Sequence, residues 1–123
     1  MSIKAGCVYV SPGESHMIIN QKTMEITLSD APPENYVKPS ADPLFRSIAA
    51  AFGNRSIGII LTGMGHDGTL GAGYIRTAGG FIIAQDPATA VIPSMPKSII
   101  DLNIAHITAK ISEIQDIVIQ HIN

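Results

Sequence analysis

The chain has little that would mark a partner by charge or covalent chemistry. It holds one cysteine, no tryptophan, and only eight Lys plus Arg against ten Asp plus Glu among its 123 residues, a formal charge of −2. A lone thiol forms no internal disulfide and excludes a Cys-x-x-Cys metal or redox pair. Cys7, in an apolar stretch with no flanking base, reads as a buried inert thiol, and this cysteine usage suits a reducing cytoplasm. The balanced charge implies no nucleic-acid partner. The longest run free of Asp, Glu, Lys and Arg is Ser56 to His66, eleven residues, where a bilayer span needs about 20. No membrane insertion is therefore expected. The first residues carry Lys4 but no apolar run ending in small residues, unlike a secretory signal. No grouping of His, Cys, Asp and Glu has metal-ligand spacing, and no metal or cofactor is called for.

What the chain has is apolar mass. Hydrophobic residues make up 46% and charged residues 15%, which excludes a disordered tail and suggests that some apolar surface is covered by something else. Ile occurs 21 times, Leu and Val five times each, a β-branched composition suited to buried strands. The first third predicts short strands at Cys7–Val10, His16–Ile19 and Glu25–Leu28, an antiparallel ribbon. Asp42 as N-cap and Pro43 at the first helical position then open a helix to Phe52, stopped at Gly53. Beyond Ser56, apolar runs alternate with helical patterns. Strands are predicted at Ile57–Leu61, Phe81–Ala84 and Ala105–Ile107. Helices are predicted at Leu70–Ala78, near Lys97–Leu102, and at the end, where Ser112 with Gln115 forms a capping box. Strands alternating with helices mean βαβ units and a parallel sheet, so the fold class is α/β.

In open parallel sheets, chemistry gathers at the C-terminal ends of strands. Two loops qualify: Thr62 to Gly68 and Gln85 to Pro96. The first contains a literal G-x-G-x-x-G, Gly63, Gly65 and Gly68, between strand and helix, with Asp86 about 20 residues on, as in a dinucleotide fingerprint. Against that reading, Asp67 lies inside the turn that would cradle a pyrophosphate, and two anions share a helix N-terminus only at a cost. Asp67 itself fits such a terminus as a carboxylate. It reads either as a helix cap or as the acid of a Ser-His-Asp triad, orienting a histidine and stabilising its imidazolium.

The segments Thr62-Gly-Met-Gly-His-Asp-Gly68, Ala84-Gln-Asp-Pro-Ala-Thr89 and Ser94-Met-Pro-Lys97 resemble the C-terminal part of the protein-glutamate methylesterases of chemotaxis. Upstream, Gly6-Cys-Val-Tyr-Val-Ser-Pro-Gly-Glu-Ser-His16 and Lys38-Pro-Ser-Ala-Asp-Pro-Leu-Phe45 extend the similarity over nearly the whole chain. The resemblance implies a doubly wound, mainly parallel α/β sheet. It also implies hydrolysis of glutamate methyl esters, with deamidation of glutamines, on the cytoplasmic helices of methylated chemoreceptors. It places Asp67 on the triad acid and the backbone at Met64 and Gly65 near the oxyanion. His16, Gln85 and Asp86 are candidates to line the cleft, and His16 also reads as a histidine that fixes its loop by hydrogen bonds. The family's reactive serine lies in a Gly-x-Ser-x-Gly-Gly turn, and none of this chain's serines does. Residues 1–123 are accordingly expected to be the C-terminal portion of a methylesterase catalytic domain, inactive alone, without its serine and histidine segments or a receiver domain. The expected partners are the missing N-terminal part of the domain or a receiver domain, and the receptor. A non-catalytic interaction module is the alternative of a different class, and dinucleotide binding through the three glycines is a third.

His66 projects to solvent on this reading and has no catalytic part. His106 and His121, without acidic neighbours at ligand spacing, are structural.

Overall fold

The computed structural model describes residues 1–123. Five strands and four α-helices follow one another as β1 (His16–Asn20), β2 (Glu25–Ser29), α1 (Ala41–Phe52), β3 (Ile57–Ile60), α2 (Thr69–Thr77), β4 (Phe81–Gln85), α3 (Ser94–Asp101), β5 (Ile107–Ala109) and α4 (Ile111–Ile122). The strands form two sheets: an antiparallel β1–β2 ribbon and a parallel sheet in the order β3-β4-β5.

Alternation along the parallel strands sends side chains to two layers. Ile60, Ile82 and Ala84 meet Ala72 and Ile75 of α2 and Ile99 of α3 on one face, with Phe45 and Ala49 of α1 behind them. Ile57, Ile59, Phe81 and Ile83 turn to the other face, where α4 contributes Ile114, Ile117 and Val118. Helices thus cover both faces of a parallel sheet. β4 is central and Ile82, Ile83 and Ala84 are wholly buried, which is why it reads as an unbroken apolar run. β3 pairs only with β4, so its outer edge is unpaired.

Several elements differ from expectation for local reasons. Cys7–Val10 is not a strand; Cys7 is exposed, as are Val8 and Val10. An apolar run needs a neighbouring edge and a covering layer to become a buried strand. The ribbon offers these residues only an open hollow, shared with Met17, Ile26 and Leu28. Ile104 and Ala105 give their amides to the Ile99 carbonyl at the end of α3, so β5 begins later than predicted. α4 starts one residue before Ser112, and Glu113 rather than Gln115 reaches back, accepting from the Lys110 amide at 2.9 Å. The N-cap of α1 is Ser40, with extended backbone and its hydroxyl accepting from the Asp42 amide. Pro43 falls at the third helical position, still among residues whose amides have no partner inside the helix. No helix is long and apolar enough to cross a membrane.

Candidate active site

The starts of α1 and α2 lie side by side, and each is capped from the other. Asp42, in the first turn of α1 and 2% exposed, accepts the Gly71 amide of α2 through Oδ1 at 2.7 Å. Asp67, just before α2, accepts the Ala41 amide of α1 through Oδ2 at 2.8 Å. α2 has Gly68 as its own N-cap, in the left-handed region at φ 89° and with no side chain to cap with. Neither aspartate is therefore the N-cap that residue order suggests; each carboxylate sits at the positive end of the neighbouring helix. Gly71 permits this approach, because a Cβ there would lie 2.5 Å from Phe45 Cβ and 3.1 Å from Asp42 Oδ1.

One side chain, Asn35, bonds both carboxylates, and Ser40 and His16 support the junction around them. Asn35 donates to Asp42 Oδ2 at 2.6 Å and more distantly to Asp67 Oδ1 at 3.4 Å. The Ser40 hydroxyl donates to Asp67 Oδ1 at 2.5 Å, and the Gly68 amide reaches the same oxygen at 3.0 Å. His16 is fully buried behind Ser40 and accepts its amide on Nδ1 at 3.0 Å. A backbone amide only donates, so the ring proton is on Nε2, where it meets the Pro32 carbonyl at 3.0 Å. His16 thus has no ring nitrogen to offer a cleft; it braces the loops on either side. Asn35 itself is held by its turn. Arg46 grips Glu34 with two bonds of 2.8 and 2.7 Å, and that guanidinium draws the Glu34 carboxyl below its usual range.

The other named residues lie at the ends of β3 and β4. Gln85, 2% exposed, ends β4 and bridges two loops, accepting the Thr62 amide on Oε1 at 2.8 Å and donating to the Thr89 carbonyl at 3.3 Å. Asp86 caps the short turn after it by accepting the Ala88 amide. Met64 is exposed at the tip of the β3–α2 loop. The amides around it are committed: Gly63 to the Ile92 carbonyl at 2.9 Å, Gly65 to Ser94 Oγ at 3.0 Å. No acceptor in the chain takes the Met64 amide. Ser94 also donates to the Gly63 carbonyl, so it stitches this loop to the start of α3. His66 is exposed beside it.

The structure brings Asp67, Gly65 and Met64 onto one loop, with Gln85 beneath that loop's start, and leaves His16 inside. Ser40, Asn35 and Ser94 take part without having been singled out from the sequence. A signal for Ser40 was present: a serine two residues before an aspartate, at the break before a helix, is a common N-cap arrangement. Chemically, the arrangement offers a carboxylate fixed by helix termini and an unclaimed amide beside it. The anion place at the start of α2 is filled by the protein's own carboxylates, and this speaks against a pyrophosphate there.

The CheB methylesterase family model matches residues 1–118. A Maricaulis maris protein named protein-glutamate methylesterase/protein-glutamine glutaminase is 44% identical over 105 residues, covering 84% of this chain and 26% of that protein. A Caulobacter vibrioides protein of the same description, numbered 2, is 41% identical over 115 residues, covering 91% of this chain and 33% of that protein. The crystal structure of the Thermotoga maritima CheB methylesterase catalytic domain superposes with a TM-score of 0.93 at 33% identity, covering 98% of this chain and 65% of that one. The chain therefore spans a quarter to a third of these curated relatives and under two thirds of the solved domain.

Proposed function

The chain belongs to the CheB methylesterase family, and from that premise we propose that it supplies the acid and part of the oxyanion site of a protein-glutamate methylesterase. Residues 1–123 are on this reading one portion of the catalytic domain, and the serine and the histidine base are carried by polypeptide outside them. The observation that carries the proposal is the Asp67 carboxylate, fixed at the N-terminus of α1 beside a loop whose Met64 amide is free.

The reaction is acyl transfer. The serine oxygen attacks the glutamyl ester carbonyl while the histidine takes its proton, and Asp67 stabilises the imidazolium that forms. The Met64 amide points its hydrogen at the oxygen that gains charge. Methanol leaves with the proton from the histidine, and water then releases the carboxylate. With glutamine as substrate the same steps release ammonia. The substrate is the methylated cytoplasmic helices of a chemoreceptor, the compartment the cytoplasm, and a receiver domain a further partner. Gln85 and Asp86 line the cleft on this proposal, through their loops.

The rest of the domain has a place to attach. Beside the unpaired edge of β3, Ile59, Leu61, Ile111, Ile114, Val118 and Ile119 line an open apolar groove of about 540 Å³. The test is methanol release from methylated receptor. The chain alone should release none. The chain joined to a segment carrying a Gly-x-Ser-x-Gly-Gly turn and a histidine should release it, and lose the ability on Asp67→Asn. Release by the chain alone, abolished by replacing one of its own serines, would refute the proposal.

A further inference from the structure

We infer that Ser40 is the positioning residue for Asp67, filling Oδ1 so that Oδ2 is the oxygen left to accept the histidine base. The inference rests on the function proposed above and deepens it. A carboxylate has about two acceptor sites on each oxygen. Oδ1 receives the Ser40 hydroxyl at 2.5 Å and the Gly68 amide at 3.0 Å, with Asn35 at 3.4 Å behind them. Oδ2 receives only the Ala41 amide, at 2.8 Å. One oxygen is thus saturated and the other keeps a place open.

The Ser40 hydroxyl cannot readily turn elsewhere. Its lone pair accepts the Asp42 amide at 3.3 Å as the cap of α1, which directs its proton to Asp67. Its backbone is fixed from behind by His16, whose Nδ1 takes the Ser40 amide. Ser40 is 4% exposed and His16 fully buried, so water does not compete for these bonds. The chain of contacts runs from the Pro32 carbonyl through His16 and Ser40 to Asp67. His16 therefore acts on the site through Ser40, two bonds away.

The test replaces Ser40 by Gly, which is tolerated at an N-cap but has no hydroxyl. In the chain itself, the readout is the proton shift of the Gly68 amide, distant in sequence from position 40 yet bonded to the same oxygen. It should move in Ser40→Gly and return toward its original place in Ser40→Thr, which restores the hydroxyl. In the domain completed by its serine and histidine segments, Ser40→Gly should lower kcat about 10- to 100-fold, the loss expected for one hydrogen bond to a charged group, with KM unchanged. Ser40→Thr should recover most of it. An unmoved Gly68 amide overturns the inference, as does an unchanged kcat or a fall confined to KM. No methanol release from the unsubstituted completed domain, with the Gly68 amide displaced by Ser40→Gly, brings down the proposed function instead and leaves Ser40 as the holder of Asp67.

Discussion

Where α1 and α2 begin, polar groups are committed to one another. Asp42, Asp67, Ser40 and Asn35 share bonds within the chain, and His16 closes the network from behind. Along the outer side of β3 the reverse holds. No strand pairs with that edge, and Leu61, Ile111 and Ile119 are exposed beside it at 43%, 58% and 43%. The two regions flank the same strand. Their difference is one of completion: the Asp67 carboxylate is held in place by bonds within the chain, whereas the outer edge of β3 has no partner strand. Hydrogen-bonded carboxylates at helix termini are local and satisfied. An unpaired strand edge with apolar flanks is a ready template for pairing with another segment.

The largest expected effect breaks the committed side. In the completed domain, Asp67→Asn should lower turnover by about 10⁴-fold, since an amide neither balances the imidazolium nor favours the right tautomer. If Asp67 capped only its own helix, Asn would keep the fold nearly intact. The structure alters that expectation. The Asn amide group would face the Ala41 and Gly68 amides or the Ser40 hydroxyl, all of which donate, so unfolding should become easier by about 1–3 kcal/mol as well. Denaturant melts of the chain alone measure the second effect without any enzyme assay. Near-normal turnover in a folded variant would reduce Asp67 to a cap.

Gly71→Ala tests the same junction through packing alone. The added methyl would press on Phe45 and Asp42, prising α1 from α2. Overpacking of this kind costs about 1–3 kcal/mol. The amide of Ala41 should move with it, because the two caps are reciprocal. A stable variant with unmoved amides would show that the helices do not need this approach.

The open side is broken by charge. The chain is expected to self-associate through the β3 edge and the apolar groove at high concentration. Leu61→Lys with Ile119→Glu should raise the dissociation constant at least about tenfold, from the loss of part of two apolar side chains. Sedimentation showing a clean monomer before any substitution, with no binding of a hydrophobic dye, would instead mean that the edge is protected in some other way.

How far this was legible in the sequence depends on the range of the forces involved. The parallel sheet and its order of helices follow from apolar runs, because a continuous run such as Ile82, Ile83 and Ala84 calls for cover on both faces and receives it. The loop after β3 was legible from its glycines, and the family from the residues around Asp67. The exchange of caps was not. Sequence order puts Asp42 and Asp67 each beside the nearer helix, because it shows which terminus a side chain is near but not which one lies across from it. Cys7–Val10 failed for a related reason: its composition suits a strand, but the two-stranded ribbon gives it no covering layer. His16 reads from its turn either as a cleft residue or as a histidine fixing its loop by hydrogen bonds, and the fold shows the second, with both its nitrogens engaged.

The far edge of the sheet supplies the smallest effect and a control on both regions. His106 precedes β5 and accepts the Ile82 amide on Nδ1 at 3.0 Å, while its own amide donates to the Ile82 carbonyl at 2.8 Å. Its ring stacks on Phe81, which also stacks on His121. Burial against these groups holds its pKa below the usual 6.5, and the charges of Arg76 and His121 act in the same direction. Protonation at Nδ1 would also end the bond from Ile82. Because the folded pKa lies below the unfolded one, the stabilisation is present above about pH 6.5 and is lost as pH falls through the folded value. Much of the ring meets solvent, so the loss should be small. Urea midpoints compared between pH 7.5 and pH 5.5 stay above the range where Glu34 titrates, and should fall slightly for the unmodified chain. His106→Asn, which keeps an acceptor for the Ile82 amide but does not titrate, should flatten that slope. Asp67→Asn should leave it unchanged. If the slope persists in His106→Asn, the pH response arises elsewhere and the ring that accepts the Ile82 amide is not its source.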